Sequence, residues 1–236
     1  MTPLLKVEGL HSYIQQFHVL QGASFEAAKG EATVILGRNG VGKSTLFRSI
    51  LNILKPEQGH VFFKEHEITR LPTHRIVRMG MAMVPSSRSV FANLTVKENL
   101  KIAYREAKSE FPSRVSSVFS TFPELESAYD RSAASLSGGE REMLAIACGL
   151  VNRVELLMLD EPSEGLSPLA VTKVMEALNR LKQETTILLV EQNFNAAKLV
   201  GDTYYFMDKG QIIYRTGAPD LRNDSSILKK YLGVSF

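Results

Sequence analysis

Gly37-Arg38-Asn39-Gly40-Val41-Gly42-Lys43-Ser44-Thr45 follows the phosphate-cradling pattern G-x-x-x-x-G-K-[ST], with Gly37, Gly42, Lys43 and Ser44 at the defining positions. The pattern is short enough to arise by chance, so its flanks decide its meaning. Ala32-Thr33-Val34-Ile35-Leu36 before it is a β-branched apolar run, as a buried strand requires. Thr45-Leu46-Phe47-Arg48-Ser49-Ile50-Leu51 after it spaces apolar residues as a helix does. Strand, glycine loop and helix in this order let successive backbone N–H groups converge on one anion, and the helix N-terminus adds a favourable dipole. Lys43 would reach the β- and γ-phosphates, and the Ser44 hydroxyl would ligate Mg²⁺. These residues imply a nucleoside triphosphate site around which the chain must fold.

The 236 residues suffice for one large domain, or one domain with a subdomain. A hydrophobic share of 44% and a charged share of 22% are ordinary for a soluble protein. The net charge of +3, from 28 basic and 25 acidic residues, is small and its basic residues are scattered, so no nucleic-acid partner is expected. The single cysteine, Cys148, excludes an internal disulfide, agrees with a reducing compartment and sits in an apolar segment that suits a packed thiol. No apolar run reaches the roughly 18 residues of a membrane span, and the N-terminus lacks a signal-peptide core, so a soluble, cytosolic chain is expected.

Along the chain, Leu4–Leu10 and Val19–Ala27 read as strands joined by an irregular piece that holds Tyr13 and Phe17, and Lys29-Gly30-Glu31 reads as a turn. The helix from Leu46 is expected to run to about Leu54 and stop at Lys55-Pro56, because proline cannot continue it. Gly59–Ile68 suggests a hairpin, Pro72–Met79 a helix, and Met81–Val84 a buried strand. Thr95-Val96-Lys97-Glu98 is a capping box that opens a helix, and Phe111–Phe122 and the stretch after Ser137 are further helices. Residues 86–154 therefore read as a helical subdomain inserted into an α/β core made of residues 1–85 and 155–236. Leu156–Leu159 and Thr186–Val190, separated by the helical stretch Pro168–Lys182, imply a parallel sheet with right-handed crossovers. Tyr204–Met207 and Gln211–Tyr214 make a hairpin, and Ser226–Leu232 a last amphipathic helix.

Two more stretches carry chemistry. Leu156-Leu157-Met158-Leu159-Asp160-Glu161 is an apolar strand ending in two carboxylates, which a parallel sheet would expose at the edge that carries the phosphate loop. Asp160 would hold Mg²⁺, directly or through water, and Glu161 would take a proton from the attacking water. In Leu136-Ser137-Gly138-Gly139-Glu140, Ser137 is an N-cap and the glycines precede a helix over Arg141–Val151. Without a lysine this second anion site is a poor one alone, and suits the γ-phosphate of a nucleotide held elsewhere, including on another chain.

In this order the three stretches resemble the ATP-binding cassette ATPases, across essentially the whole chain. Val190-Glu191-Gln192-Asn193 and the short C-terminal end are similar to the branched-chain amino acid transport ATPases and their urea and amide relatives, and Arg38-Asn39-Gly40-Val41-Gly42 to the urea-type members. The resemblance implies an α/β P-loop fold: a RecA-like parallel-sheet core, an antiparallel β subdomain and an inserted helical subdomain. It implies ATP with Mg²⁺, bound by residues 37–45 of one chain and by Ser137, Gly138, Gly139 and Glu140 of another in a head-to-tail dimer. The partner would be a second copy or a homologous second ATPase. Two transmembrane permease subunits and an extracytoplasmic solute-binding protein complete the implied assembly, with this chain peripheral at the cytoplasmic face of the membrane.

Four positions depart from the general family pattern. Ser86 follows Pro85 where a glutamine is expected, Ser167 replaces an aspartate, Gln192 replaces the switch histidine, and Ile14 aligns with the adenine-stacking aromatic, which leaves Tyr13 or Phe17 as substitutes. The branched-chain subgroup is similar at Ser167 and Gln192. The reading is an importer's ATP-hydrolysing subunit for a small polar solute such as branched-chain amino acids, urea or short amides, with Lys43, Glu161 and Gln192 as its catalytic groups. The alternatives are a non-hydrolysing ATP-driven clamp beside a catalytic sister chain, which Ser86 and Gln192 favour, and a soluble cassette ATPase outside transport. A GTPase is disfavoured by the lack of an Asn-Lys-x-Asp motif.

Overall fold

A computed structural model describes residues 2–86 and 90–223. The chain opens with the hairpin β1 (Leu5–Ile14) and β2 (Phe17–Ala27) and enters the phosphate loop through β3 (Ala32–Leu36), followed by α1 (Lys43–Ile50). Next come β4 (Gln58–Phe63), β5 (His66–Glu67), α2 (Thr73–Arg78) and β6 (Met81–Val84). Four α-helices follow: α3 (Val96–Ala103), α4 (Phe111–Thr121), α5 (Pro123–Ser127) and α6 (Gly138–Leu150). Alternation then resumes with β7 (Leu156–Asp160), α7 (Pro168–Leu181), β8 (Thr186–Glu191), α8 (Phe194–Ala197), β9 (Thr203–Asp208), β10 (Gln211–Gly217) and α9 (Ala218–Asn223).

Six strands form the central sheet in the order β10-β9-β3-β8-β7-β6, with only the β10–β9 pair antiparallel. Strands β3, β7 and β8 are buried along their whole length, as parallel strands covered on both faces must be. Their side chains alternate between two cores. Val34, Leu157, Leu159, Ile187 and Leu189 join α3, α4, α6 and α7. Ile35, Leu156, Met158, Leu188 and Val190 join α1 and the second sheet, β2-β1-β4-β5, which is antiparallel. Because the strands are parallel, the carboxyl ends of β3, β6, β7 and β8 share one edge, where the phosphate loop, Ser86, Asp160 and Gln192 are set.

Three expectations need adjustment. The piece holding Tyr13 and Phe17 continues both strands, with register shifts between Leu10 and His11 and between Ser12 and Tyr13: Ile14 pairs with Phe17 across a two-residue turn whose Gln15 takes φ 54°. Helix α1 ends at Ile50, well before Pro56. Asn52 turns left-handed at φ 54° and its side chain donates to the Leu71 carbonyl (2.8 Å), while the N–H groups of Ile53 and Leu54 return to the Arg48 carbonyl. A left-handed residue with such back-bonding is a sufficient helix stop without proline. Finally, α6 begins at Gly138, so both glycines lie in its first turn rather than before it. The helix expected over Ser226–Leu232 lies outside the described residues. Cys148 is half-buried in α6, where burial pushes its thiol up to about 12. Among the described residues, no helix is long and apolar enough to cross a membrane.

Candidate functional site

The phosphate loop is held from both sides. Gly37 donates its N–H to the Glu191 carbonyl, and Val41 accepts from the N–H of Gly210 in the β9–β10 turn. A Cβ on Gly37 would fall 2.7 Å from the Met207 carbonyl oxygen, too close for any side chain. Gly42 adopts φ 111° and starts α1 with no side-chain cap, so the first helical N–H groups remain directed at the loop. Arg38, Asn39 and Gly40 are exposed along its rim.

Lys43 is only 4% exposed, and its three ammonium donors are all engaged. Two go to the carbonyls of Gly37 (2.7 Å) and Arg38 (2.9 Å), and the third faces Glu161 Oε1 at 3.0 Å. Ser44 donates its hydroxyl to Asp160 Oδ1 at 3.1 Å, which joins α1 to the end of β7. Burial raises the Asp160 carboxyl above its ordinary range, against the opposing Ser44 hydrogen bond, and Glu161 adds to the rise. Glu161 stands at φ 51°, a left-handed conformation about 1–2 kcal/mol less favourable for a residue with a side chain. That turn sends two adjacent carboxylates to different partners, Asp160 to Ser44 and Glu161 to Lys43. Ser44 and Asp160 offer hard oxygen atoms, the donor set Mg²⁺ prefers. Among the described residues no group of three or more His, Cys, Asp or Glu side chains is placed to hold a metal. An ion at Ser44 and Asp160 would therefore draw its remaining oxygens from water and substrate phosphates, as Mg²⁺ sites commonly do.

The residue that sequence reasoning missed is Glu191. It is 2% exposed at the end of β8, and its carboxylate accepts three backbone N–H groups: Ser163 on Oε1 (3.0 Å), Gln192 and Asn193 on Oε2 (3.1 Å each). Burial raises its pKa, opposed by the hydrogen bonds from Ser163 and Asn193. An acid closing an apolar strand was the signal, the same one that marks Asp160. Gln192 itself is exposed just beyond.

Ser137–Glu140 stands apart from these groups. The Ser137 hydroxyl accepts the Glu140 N–H (3.2 Å) and Glu140 accepts the Ser137 N–H (2.8 Å), a complete capping box. The Ser137 N–H first, and then the Ser137 hydroxyl, hold the Glu140 carboxyl below its ordinary range. The segment borders a pocket shared with Ser167, Leu169 and Lys173 at the start of α7. Ser167, in the aspartate's place, is the N-cap of α7 and accepts from the Ala170 N–H. Tyr13 stacks on His18 with ring centroids 4.2 Å apart, whereas Ile14 and Phe17 are exposed at the hairpin tip.

The sequence matches the ABC transporter family over residues 20–164. It is 38% identical over 234 residues to the probable branched-chain amino acid transport ATP-binding protein LivF of Archaeoglobus fulgidus, covering 98% of this chain and 99% of that protein. Against the high-affinity branched-chain amino acid transport ATP-binding protein BraG of Pseudomonas aeruginosa the identity is 34%, covering 98% of this chain and 100% of that one. The crystal structure of a nucleotide-free ATP-binding cassette from an ABC transporter superposes with a TM-score of 0.85 at 25% identity, covering 100% of both chains. An ATP-binding cassette of an ABC transporter in its ADP conformation gives 0.83 at 28% identity, covering 99% of this chain and 100% of that one.

Proposed function

This chain belongs to the ABC transporter family and is an ATPase, and we propose that it drives an importer of a small polar solute, with branched-chain amino acids foremost and urea or short amides as related candidates. The relatives named for branched-chain amino acid transport support that solute class. The observation that carries the hydrolytic part is the meeting of Lys43 with Glu161 and of Ser44 with Asp160 at one sheet edge.

In this reading the N–H groups of residues 37–45 and the Lys43 ammonium bind the triphosphate. Ser44 and Asp160 would hold Mg²⁺, which would supply charge neutralisation of the phosphates. Glu161 accepts a proton from the attacking water, and Gln192 orients the γ-phosphate. Ser137, Gly138, Gly139 and Glu140 of a second copy, or the matching segment of a homologous ATPase, close over the nucleotide. Phe17, exposed beside Ile14, is the better placed aromatic for the adenine, since Tyr13 is already stacked. On this reading α3, α4, α5 and α6 make up the helical subdomain, inserted between β6 and β7 of the α/β core. The chain works at the cytoplasmic membrane face on two permease subunits, served by an extracytoplasmic solute-binding protein.

The test is co-purification from the native membrane, followed by reconstitution of the captured complex in vesicles. Uptake of a branched-chain amino acid that requires ATP and stops with Glu161→Gln is the expected result. A complex whose uptake is indifferent to Glu161→Gln would instead assign hydrolysis to a sister ATPase.

A further inference from the structure

Glu191 gathers three loops onto one residue. Its main-chain carbonyl accepts the N–H of Gly37, the first residue of the phosphate loop (3.2 Å). Carboxylate oxygen Oε1 holds Ser163, two residues beyond Glu161, at 3.0 Å. The other oxygen, Oε2, holds the N–H groups of Gln192 and Asn193, 3.1 Å from each. A carboxylate this deeply buried is costly unless its charge is satisfied, and here backbone donors from two loops satisfy it. An apolar residue would complete the strand as well by packing alone, yet would leave those N–H groups unpaired.

We propose that Glu191 is a positioning residue for ATP hydrolysis: it sets the Glu161–Ser163 turn and Gln192 at a fixed separation from the phosphate loop. The inference rests on the roles assigned to Glu161 and Gln192 above. One rigid carboxylate gives both loops a common reference. Glu161, reached through the Ser163 turn, and Gln192, the next residue, therefore move together rather than independently. Glutamine at this position keeps the shape but has one acceptor oxygen, and its NH₂ group would face an N–H donor. One loop would be released while β8 and the core stay intact.

The experiment is steady-state ATPase activity and nucleotide binding of the purified full chain, comparing wild type, Glu191→Gln, Gln192→Ala, Glu161→Gln and Glu191→Gln/Gln192→Ala. Displacement of a positioned group by about 1 Å costs up to roughly 10²-fold in rate, so Glu191→Gln should lower kcat by about 10–10²-fold. Its KM and nucleotide affinity should stay within about 2-fold of wild type, a split that a general loss of structure would not produce. In the Gln192→Ala background the same change should lower kcat by much less, because part of its path is already removed. A Glu191→Gln chain with wild-type kcat, or with binding lost in proportion to kcat, overturns the proposal. If Glu161→Gln and Gln192→Ala also turn over normally, the site assignment itself has failed; if they are impaired and Glu191→Gln is not, only the positioning role has. Should Glu191→Gln not fold, Glu191→Asp retains both acceptors but withdraws them by one methylene, and the same kcat-against-KM split decides.

Discussion

Lys43 Nζ lies 3.0 Å from Glu161 Oε1, so the buried lysine of the phosphate loop and the partly exposed acid after β7 form one ion pair. In the proposed function a triphosphate would take that lysine donor from the carboxylate, which would in turn free Glu161 to face water. Two opposite effects of substitution follow. Glu161→Gln should bind ATP at least as tightly as wild type, because a charged competitor is gone, while turnover falls by roughly 10²–10⁴-fold with the base removed. Lys43→Ala should lose ATP binding altogether. Equilibrium nucleotide binding alongside phosphate release separates the two, and normal hydrolysis by Glu161→Gln would remove Glu161 from its role.

Ser137 and Glu140 cap α6, and Ser137 and Gly138 stay exposed beside α7. ATP with Mg²⁺ should therefore drive association of the Glu161→Gln chain, alone or with a sister ATPase, and Ser137→Arg should prevent it. Ser137→Ala separates the bulk of arginine from the lost cap, whose removal costs about 0.5–2 kcal/mol of stability. Sedimentation with and without ATP reads the result. Association of neither mixture nor chain alone would refute a shared nucleotide site.

Gln192 carries an amide, which donates and accepts hydrogen bonds without titrating near neutral pH. The ATPase profile of the wild type should accordingly show no imidazole ionisation from this position. Gln192→Ala should lose about 10-fold or more in turnover through lost positioning. Gln192→His should retain substantial activity and introduce a new ionisation. Turnover by Gln192→Ala at the wild-type rate would show that the side chain makes no important contact.

The Glu140 carboxyl sits below its ordinary range because the Ser137 N–H and hydroxyl bond to its charged form. A folded pKa below the unfolded value means that the ionised group stabilises the fold above the ordinary carboxylate range. That contribution is lost as pH falls through the lower folded value. Thermal melts of wild type and Glu140→Gln should differ at neutral pH and converge in acid. A constant difference across that range would contradict the linkage.

The phosphate loop, the strands β3, β7 and β8, the Thr95–Glu98 capping box and the Ser137 N-cap were legible in the sequence because each is local. Their hydrogen bonds, dihedral preferences and apolar periodicity are contained within a few neighbouring residues. Asp160 and Glu161 were legible for the same reason, as acids that end an apolar strand. The end of α1 was not, since it depends on Asn52 turning left-handed and reaching the Leu71 carbonyl from another part of the chain. Nor was the extent of the β1–β2 hairpin, where pairing across the turn overrode weak local preference. Glu191 shows the boundary most plainly. Sequence shows an acid after four apolar residues, but its meaning depends on Ser163, which lies 28 positions away and reaches it only because β7 and β8 are adjacent and parallel. The glycine loop and the acids that end the apolar strands were written in the residues themselves. Which carboxylate meets which loop was decided by strand order, because a hydrogen bond requires its partners within about 3 Å and only the folded sheet brings them there.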